Sequence, residues 1–273
     1  MARKKTPPAN KATTTALANI TGSALVPLFG SERALTKMPG KDGAAVRDGD
    51  VTLVTGRPYA TNDRVIPASE IFFVNGAKPN RDGPWIDEAD KLSWVDDETG
   101  FECIMLRETG DGYLSGFVGV PRGHPLWGWN HEAIPTDLGI EVHGGLTYSR
   151  ICDEGPEPTR RIAVEARRIC HVPRVPYQFE PISHATDHRP EDAHVWWFGF
   201  DCNHLYDVIP GETRHGLRFL GAETGAEYRD DGYVVREVIN LARQLRAIAD
   251  REPVPERDGP PLPPIGLDPQ RGG

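Results

Sequence analysis

The most informative hydrophobic pattern along the chain is an aromatic run that turns abruptly polar. Residues 195–200 read Val-Trp-Trp-Phe-Gly-Phe, which is the length and composition of a buried β-strand. The next seven positions, 201–207, bring two acids, a thiol and an imidazole. Because a strand is rigid, polar groups at its end are well placed to form a functional site. The sequence therefore predicts a site here, although no motif fixes its chemistry.

The clearest helix is predicted near the C-terminus, over residues 229–249. Apolar residues recur there at intervals of four, three, four and three, and form the stripe Val234, Val238, Leu241, Leu245 and Ile248. This spacing places them on one face of an α-helix. We expect that face to pack against a sheet.

Strand-like runs occupy the middle of the chain. Residues 103–107 and 113–120 are joined by a glycine-rich turn of hairpin length, and residues 140–149 indicate a third strand. Together with the 195–200 strand, these runs predict a mainly antiparallel sheet. The predicted fold class is α+β, with the C-terminal amphipathic helix packed on one face of the sheet.

Glycines interrupt two of these strands. Gly116 and Gly119 indicate a bulge or another backbone passing close by. Gly144 and Gly145 form a break where the backbone can bend or approach a ligand.

The domain organisation is predicted from composition. Residues 83–250 are expected to form a single folded domain, and residues 42–82, with possible short strands at 51–55 and 71–74, an appendage or linker. Residues 153–194 hold six prolines and four histidines without a periodic pattern, which indicates a long loop insertion.

Both ends of the chain are predicted to be disordered tails. Residues 1–41 carry seven basic residues against one acid. That tail either contacts nucleic acid or an anionic surface loosely, or is solvated without a partner. Residues 251–273 hold seven prolines, which end the fold.

Composition and charge narrow the possible partners. The net charge of −9 argues against nucleic-acid binding by the fold itself, since phosphate contacts need clustered Lys and Arg. No apolar run approaches the roughly 18–20 residues of a membrane span, so we expect no membrane association. The four cysteines include no CxxC pair, which favours reduced thiols in the cytoplasm.

The candidate catalytic residues are His143, His204 and Asp201, because imidazole and carboxylate recur at adjoining strand ends. In a strand, Cys202 and His204 share a face; in a helix, Asp201, His204 and Asp207 share one. One acid with two or three histidines can bind a divalent metal, although the sequence does not say which. A thiol beside these groups can also be a nucleophile, but we expect Cys202 to be a small buried hydrophobe.

Further residues are predicted to bind a ligand around this group: His124, Gly144, Gly145, Asp207 and Trp127. Each also has a structural interpretation. Asp201 can cap the following turn, Asp207 can form an Asx-turn, and His143 can hydrogen-bond a loop. Trp127 is more often a packing residue than a stacking platform.

Five motifs of the chain resemble an uncharacterised protein family of bacteriophages and prophages. In chain order they are GPWIDEADKLSWVDDETGFECIMLR, GFVGVPRGHPLWG, VHGGLTYS, WWFGFDCNHLYD and YRDDGYVVREVINLARQL. The resemblance covers about residues 83–248. It implies a phage or prophage origin, and hence the cytoplasm of a bacterial host, but names no reaction.

Two hypotheses for the function follow. In the first, the protein binds a small polar ligand, such as a nucleotide, in a pocket lined by His and Asp. In the second, it is a hydrolase that uses His143, His204 and Asp201 around a divalent metal or an activated water. The sequence leaves open whether the protein is an enzyme, and in which oligomeric state it exists.

Overall fold

The fold is built on one large antiparallel sheet, which a computed structural model describes for residues 13–16, 32–79, 82–151, 162–170, 172, 195–211 and 225–263. The strands in chain order are β1 (Thr13–Ala16), β2 (Ala44–Asp48), β3 (Val51–Thr55), β4 (Tyr59–Ala60), β5 (Val65–Ile66), β6 (Glu70–Val74), β7 (Lys91–Val95), β8 (Glu102–Arg107), β9 (Leu114–Val120), β10 (Tyr148–Ile151) and β11 (Trp196–Asp201). Nine of them form the main sheet, in the order β1-β2-β3-β6-β7-β8-β9-β11-β10, while β4 and β5 pair separately.

The helices are few in the described part of the chain. They are α1 (Ile162–Glu165), α2 (Asp231–Asp250) and the short 3₁₀ helices Arg33–Lys37, Pro84–Asp87, His131–Ala133 and Thr136–Leu138. None of the described helices has both the length and the apolar character needed to cross a bilayer. The sheet and α2 confirm the predicted α+β fold.

Strand β11, the aromatic run, lies between β9 and β10. It pairs with β9 from Trp196 opposite Val120 to Asp201 opposite Ser115. Four of its six residues are buried. The strand therefore delivers the polar residues that follow it at a fixed place beside the hairpin of β8 and β9.

The strand predicted over residues 140–149 is wrong for most of that range, since β10 spans Tyr148–Ile151 and shares only residues 148 and 149 with it. The preceding residues form a turn, in which the N–H of Gly145 donates to the carbonyl of Val142 at 3.0 Å. Gly144 and Gly145 both have positive φ, which breaks the pleat of a strand. This turn carries His143 towards α2.

Gly116 lets α2 pack closely on the sheet. A Cβ atom there would meet the ring of Phe200 and the side chain of Val238, each at 2.5 Å. The register of β9 with its neighbours is continuous, so the glycines of this strand mark no bulge. They make room for side chains rather than for another backbone.

Helix α2 packs on β8 and β9 through the predicted stripe. Val234, Val238, Leu241 and Leu245 are fully buried, and Ile248 packs against the same core. Asp230 caps the helix, since its side chain accepts the N–H of Tyr233 at 2.8 Å.

Residues 42–82 differ from the expected appendage or linker. Strands β2, β3 and β6 belong to the main sheet, where β3 pairs with both its neighbours and β6 continues the order to β7. Turn glycines such as Gly49 and Gly56, which interrupt the sequence pattern, lie between the strands rather than within them. The sheet thus begins well before residue 83.

Parts of both predicted tails have defined structure. Residues 13–16 pair with β2, and Ala34 and Met38 are buried in the main core. Lys37 forms an ion pair with buried Asp231 of α2. Residues 251–263 are also described, and they lie along α2. The remaining tail residues lie outside the described ranges.

The predicted insertion, residues 153–194, falls mostly outside the described residues. Its described part packs on the sheet: Ile162 and Ala166 join one apolar cluster, and Cys170 and Val172 join another. Cys170 is disulfide-bonded, whereas Cys103 and Cys202 are free. The expectation of reduced thiols is therefore wrong for Cys170, and the cytoplasmic assignment loses that support.

Candidate functional site

Three polar side chains converge where the turn after β11 meets the glycine turn before β10. One ligand atom each from His143, His204 and Asp207 lie within 4.8 Å of one another. His143 and Asp207 are fully buried, and His204 is partly exposed. We refer to these three residues as the His143–His204–Asp207 trio.

Asp207 is the centre of the trio. Its Oδ2 accepts from His143 Nε2 at 2.8 Å and from the backbone N–H of His204 at 2.9 Å, and its Oδ1 accepts from Arg229 Nε at 2.8 Å. Burial disfavours the charged carboxylate, but the hydrogen bonds from His143, His204 and Arg229 outweigh it and hold the pKa of Asp207 well below its usual range. Asp207 is therefore an ionised acceptor at neutral pH.

His143 is held by both of its ring nitrogens. Because Asp207 is ionised, Nε2 of a neutral His143 ring carries the proton, and Nδ1 accepts a hydrogen bond from Tyr233 Oη at 2.8 Å. Burial, together with the charge of Glu237, raises the pKa of Tyr233, so its phenol stays protonated and can donate. The orientation of the imidazole is thus fixed from two sides.

His204 stands between two carboxylates. Its Nδ1 lies 3.4 Å from Asp207 Oδ2, and its Nε2 lies 3.7 Å from Asp201 Oδ1. Both His204 Nδ1 and Asp201 Oδ1 are buried atoms without a hydrogen-bond partner among the described residues. Since a buried polar atom without a hydrogen bond is costly, the gap in the network at His204 Nδ1, on the Asp207 side of the ring, is a place for a ligand.

Gly144 is required by the ring of His204. A Cβ atom at this position would lie 2.0 Å from His204 Cε1, and the residue has φ +66°. At Gly145, φ is +83° and a Cβ atom would meet nothing within 4 Å. The break predicted to approach a ligand instead brings the backbone against His204.

Asp201 and Asp207 have roles that differ from those predicted. Asp207, predicted to bind a ligand, takes the central position, while Asp201, predicted to be catalytic, flanks the trio at the far side of His204. The reason is a turn rather than a continued strand or helix. The carboxylate of Asp207 folds back onto the N–H of His204, three residues earlier.

His124 and Trp127 are not joined to the trio by any contact of the described residues. His124 Nε2 contacts the carbonyl oxygen of Leu245 at 2.8 Å, and its Nδ1 accepts the N–H of Leu126 at 3.1 Å. Leu245 lies eight residues beyond Glu237 on α2, about 12 Å along the helix. Trp127 packs beside the ring of Trp196, at 5.8 Å between centroids.

Cys202 behaves as the expected buried hydrophobe. It is almost fully buried, and burial raises the pKa of its thiol well above the usual value. A nucleophilic cysteine needs the opposite shift, because the thiolate is the reactive form.

Helix α2 supplies site residues that the sequence analysis missed. Tyr233 contacts His143 through its hydroxyl, and Glu237 Oε2 accepts the backbone N–H of His143 at 3.3 Å. A signal for them exists in the sequence. A polar stripe runs beside the apolar one at intervals of four, three and four: Tyr233, Glu237, Asn240 and Gln244. Three of its four members are buried, so this face of α2 packs against groups that can hydrogen-bond to it.

Comparison with known proteins gives no relative. No protein-family model matches the chain, and neither the curated proteins nor the solved structures searched contain a significant match. The resemblance to a phage family therefore stays a prediction, and the interpretation of the site depends on its geometry.

Proposed function

We propose that the protein binds a divalent transition metal ion through His143 Nε2, His204 Nδ1 and Asp207 Oδ2, and that it is a metal-dependent hydrolase. The observation that carries the proposal is the convergence of three donor atoms within 4.8 Å, one of which, His204 Nδ1, is buried and makes no hydrogen bond within the described part of the chain. A metal ion in this gap would give that nitrogen its missing interaction.

The donor set favours particular metals. Two imidazole nitrogens and one carboxylate oxygen suit zinc, manganese or iron better than calcium or magnesium, which prefer oxygen ligands. Three protein ligands would leave a coordination position open, as in catalytic zinc sites, and the ion would supply an acidified water there. This is the chemistry of metal-assisted hydrolysis.

The surroundings of the two imidazoles fit the same proposal. In metal sites the second ring nitrogen of a histidine ligand usually has an oxygen partner that orients the ring. Tyr233 Oη lies 2.8 Å from His143 Nδ1. An ion on His143 Nε2 would replace the hydrogen bond from Nε2 to Asp207, and the ring proton would then sit on Nδ1 and be donated to Tyr233 Oη. Asp201 Oδ1 lies 3.7 Å from His204 Nε2. Arg229 holds Asp207 Oδ1, and Oδ2, which accepts from His143 Nε2 in this structure, is the oxygen that would face the ion once that proton has left.

The other hypothesis, a pocket for a small polar ligand, has less support. It placed His124 and Trp127 in one pocket with residues 143–145 and 201–207, whereas both make their contacts elsewhere in the core. We therefore build the proposal on the metal.

Metal analysis of the full chain tests the proposal. Protein stripped with a chelator and reloaded with zinc or manganese should retain about one ion per chain, and His204→Asn should retain almost none. His131→Asn is the matched control, because the ring of His131 hydrogen-bonds to Ser149 and His131 does not belong to the trio. Loaded protein should hydrolyse a member of a panel of chromogenic phosphate and carboxylate esters. Wild-type protein that retains no ion would refute the proposal.

A further inference from the structure

The C-terminal strap, residues 251–263, reverses the chain at the end of α2. Arg251 adopts the left-handed conformation with φ 59°, the one non-glycine residue of the described ranges with positive φ. The N–H of Glu252 then donates to the carbonyl of Ala247 at 2.9 Å, which closes the helix. Pro253 and Pro255 favour an extended chain after the reversal, so the strap runs back beside the helix.

The strap is anchored to the polar stripe of α2 by a reciprocal pair of hydrogen bonds. Asn240 Nδ2 donates to the carbonyl of Asp258 at 2.8 Å, and the N–H of Asp258 donates to Asn240 Oδ1 at 3.1 Å. Both contacts are to the backbone of the strap. These two hydrogen bonds fix the position of the strap along α2, whereas a loosely attached tail would have no fixed position.

Arg257 of the strap neutralises Glu237. Its Nε donates to Glu237 Oε2 at 2.8 Å, and its second guanidinium nitrogen donates to Oε1. The carboxylate of Glu237 is fully buried, and the Arg257 side chain is nearly so. Because a buried carboxylate without a partner is strongly destabilising, Glu237 depends on Arg257 for its place in the core.

Glu237 links Arg257 to the site. Its Oε2, the oxygen that accepts from Arg257 Nε, also accepts the backbone N–H of His143 at 3.3 Å. Arg257 lies close to Tyr233 as well, and the Tyr233 hydroxyl donates to the ring of His143. The strap is therefore linked to the backbone of His143 through Glu237 and to the imidazole of His143 through Tyr233.

We propose that the C-terminal strap is a positioning element of the site and that Arg257 is its positioning residue, acting on His143 through Glu237. Arg257 lies more than a hundred residues after His143 in the sequence, so the site would be completed by a distant segment of the chain. The metal-binding consequence rests on the proposed function, whereas the effect on the His143 turn does not.

The test compares Arg257→Gln with Arg246→Gln. Arg246 is the matched control. It is an arginine of α2 that pairs with exposed Asp250 and does not contact Glu237. In Arg257→Gln, amide hydrogen exchange at His143 should be at least about tenfold faster, because its acceptor is displaced. Zinc binding should weaken about tenfold, the usual effect of losing an outer partner of a metal ligand. Arg246→Gln should match the wild type in both measurements.

Two further variants keep the test decisive if Arg257→Gln folds poorly. The double variant Glu237→Gln, Arg257→Gln removes the buried charge but keeps an acceptor for His143, so exchange and zinc binding should return towards wild-type values. Asn240→Ala frees Asp258 without leaving Glu237 unpaired, and should change both measurements in the same direction as Arg257→Gln but less. Unaltered exchange at His143 in folded Arg257→Gln or in Asn240→Ala would overturn the inference.

The two proposals fail separately. If wild-type protein binds no zinc while His143 exchange responds to Arg257→Gln, the metal proposal fails and the strap inference is supported. If wild-type protein binds zinc and neither exchange nor affinity responds to Arg257→Gln, the strap inference is overturned.

Discussion

A Cβ atom on Gly144 would lie 2.0 Å from Cε1 of His204, so the glycine turn and the histidine ring define each other's position. This contact links the segment before β10 with the turn after β11. It explains why the sequence pairs a glycine doublet with His143: the turn brings one imidazole towards Asp207 while making room for the other.

We expect Gly144→Ala to displace His204 and to lower the free energy of unfolding by about 2–4 kcal/mol, since it adds a clash to an unfavourable φ. Gly145→Ala is the control, because φ is similarly positive but the space is open. It should cost only about 1–2 kcal/mol. Denaturant midpoints measure both, and equal losses would show that the His204 ring does not determine the requirement for glycine.

The two histidines of the trio should respond differently to the same substitution. His204→Asn should change stability by no more than about 1 kcal/mol, because His204 Nδ1 makes only a long contact of 3.4 Å with Asp207 Oδ2, and the backbone N–H that binds the same oxygen is retained. His143→Asn should cost about 1–3 kcal/mol, because it removes one of the three donors to the buried carboxylate of Asp207 and the acceptor of the Tyr233 hydroxyl. Thermal melts of the two variants check this, and a larger loss for His204→Asn would contradict the described geometry.

The lowered pKa of Asp207 predicts how stability depends on pH. A carboxyl whose folded pKa lies below its unfolded value of about 3.9 stabilises the fold fully above that pH. This stabilisation is lost as the pH falls through the lowered folded value. Asp207→Asn should therefore be destabilised relative to wild type at pH 7, and the difference should shrink as the pH falls below about 4.

Urea midpoints from about pH 7 to pH 3 measure this difference. The control is Asp250→Asn, because Asp250 forms an exposed pair with Arg246 and should show a small, nearly constant difference. An Asp207→Asn difference that stays constant across the series would mean that the carboxylate gains nothing from its three donors.

The left-handed Arg251 offers a prediction about the strap. Glycine adopts this conformation without the steric cost that other residues incur, so Arg251→Gly should stabilise the fold by about 0.5–1 kcal/mol. Arg246→Gly, in the helix interior, should instead destabilise by about 1 kcal/mol. If both variants lose stability to the same degree, Arg251 makes contacts that outweigh its conformational strain.

Much of the fold follows from local pattern. The aromatic run of β11 and the apolar stripe of α2 predict their elements, because one face or both faces of each are buried in the structure. Strands β2, β3 and β6 were harder to assign to the domain. Their runs are short, and they join the sheet because β2 pairs with β3, β3 with β6 and β6 with β7, contacts between segments that no local pattern encodes.

The site was predictable in composition but not in arrangement. His143 and His204 were found because each follows an apolar run, yet the choice between Asp201 and Asp207 depended on a turn that folds one carboxylate back. Tyr233 and Glu237 come from another element and meet His143 through tertiary packing. Arg257 lies in a proline-rich segment whose composition is typical of a disordered tail, so its ion pair with a buried helix residue was hidden.

The measurement that tests the central claim most directly is anomalous diffraction at the zinc absorption edge, from crystals grown with zinc. The account predicts a peak among His143 Nε2, His204 Nδ1 and Asp207 Oδ2, with metal–ligand distances of about 2.0–2.2 Å. The same data from His204→Asn crystals should lack it. A wild-type map with no peak at the trio, under conditions in which zinc is present, would contradict the account.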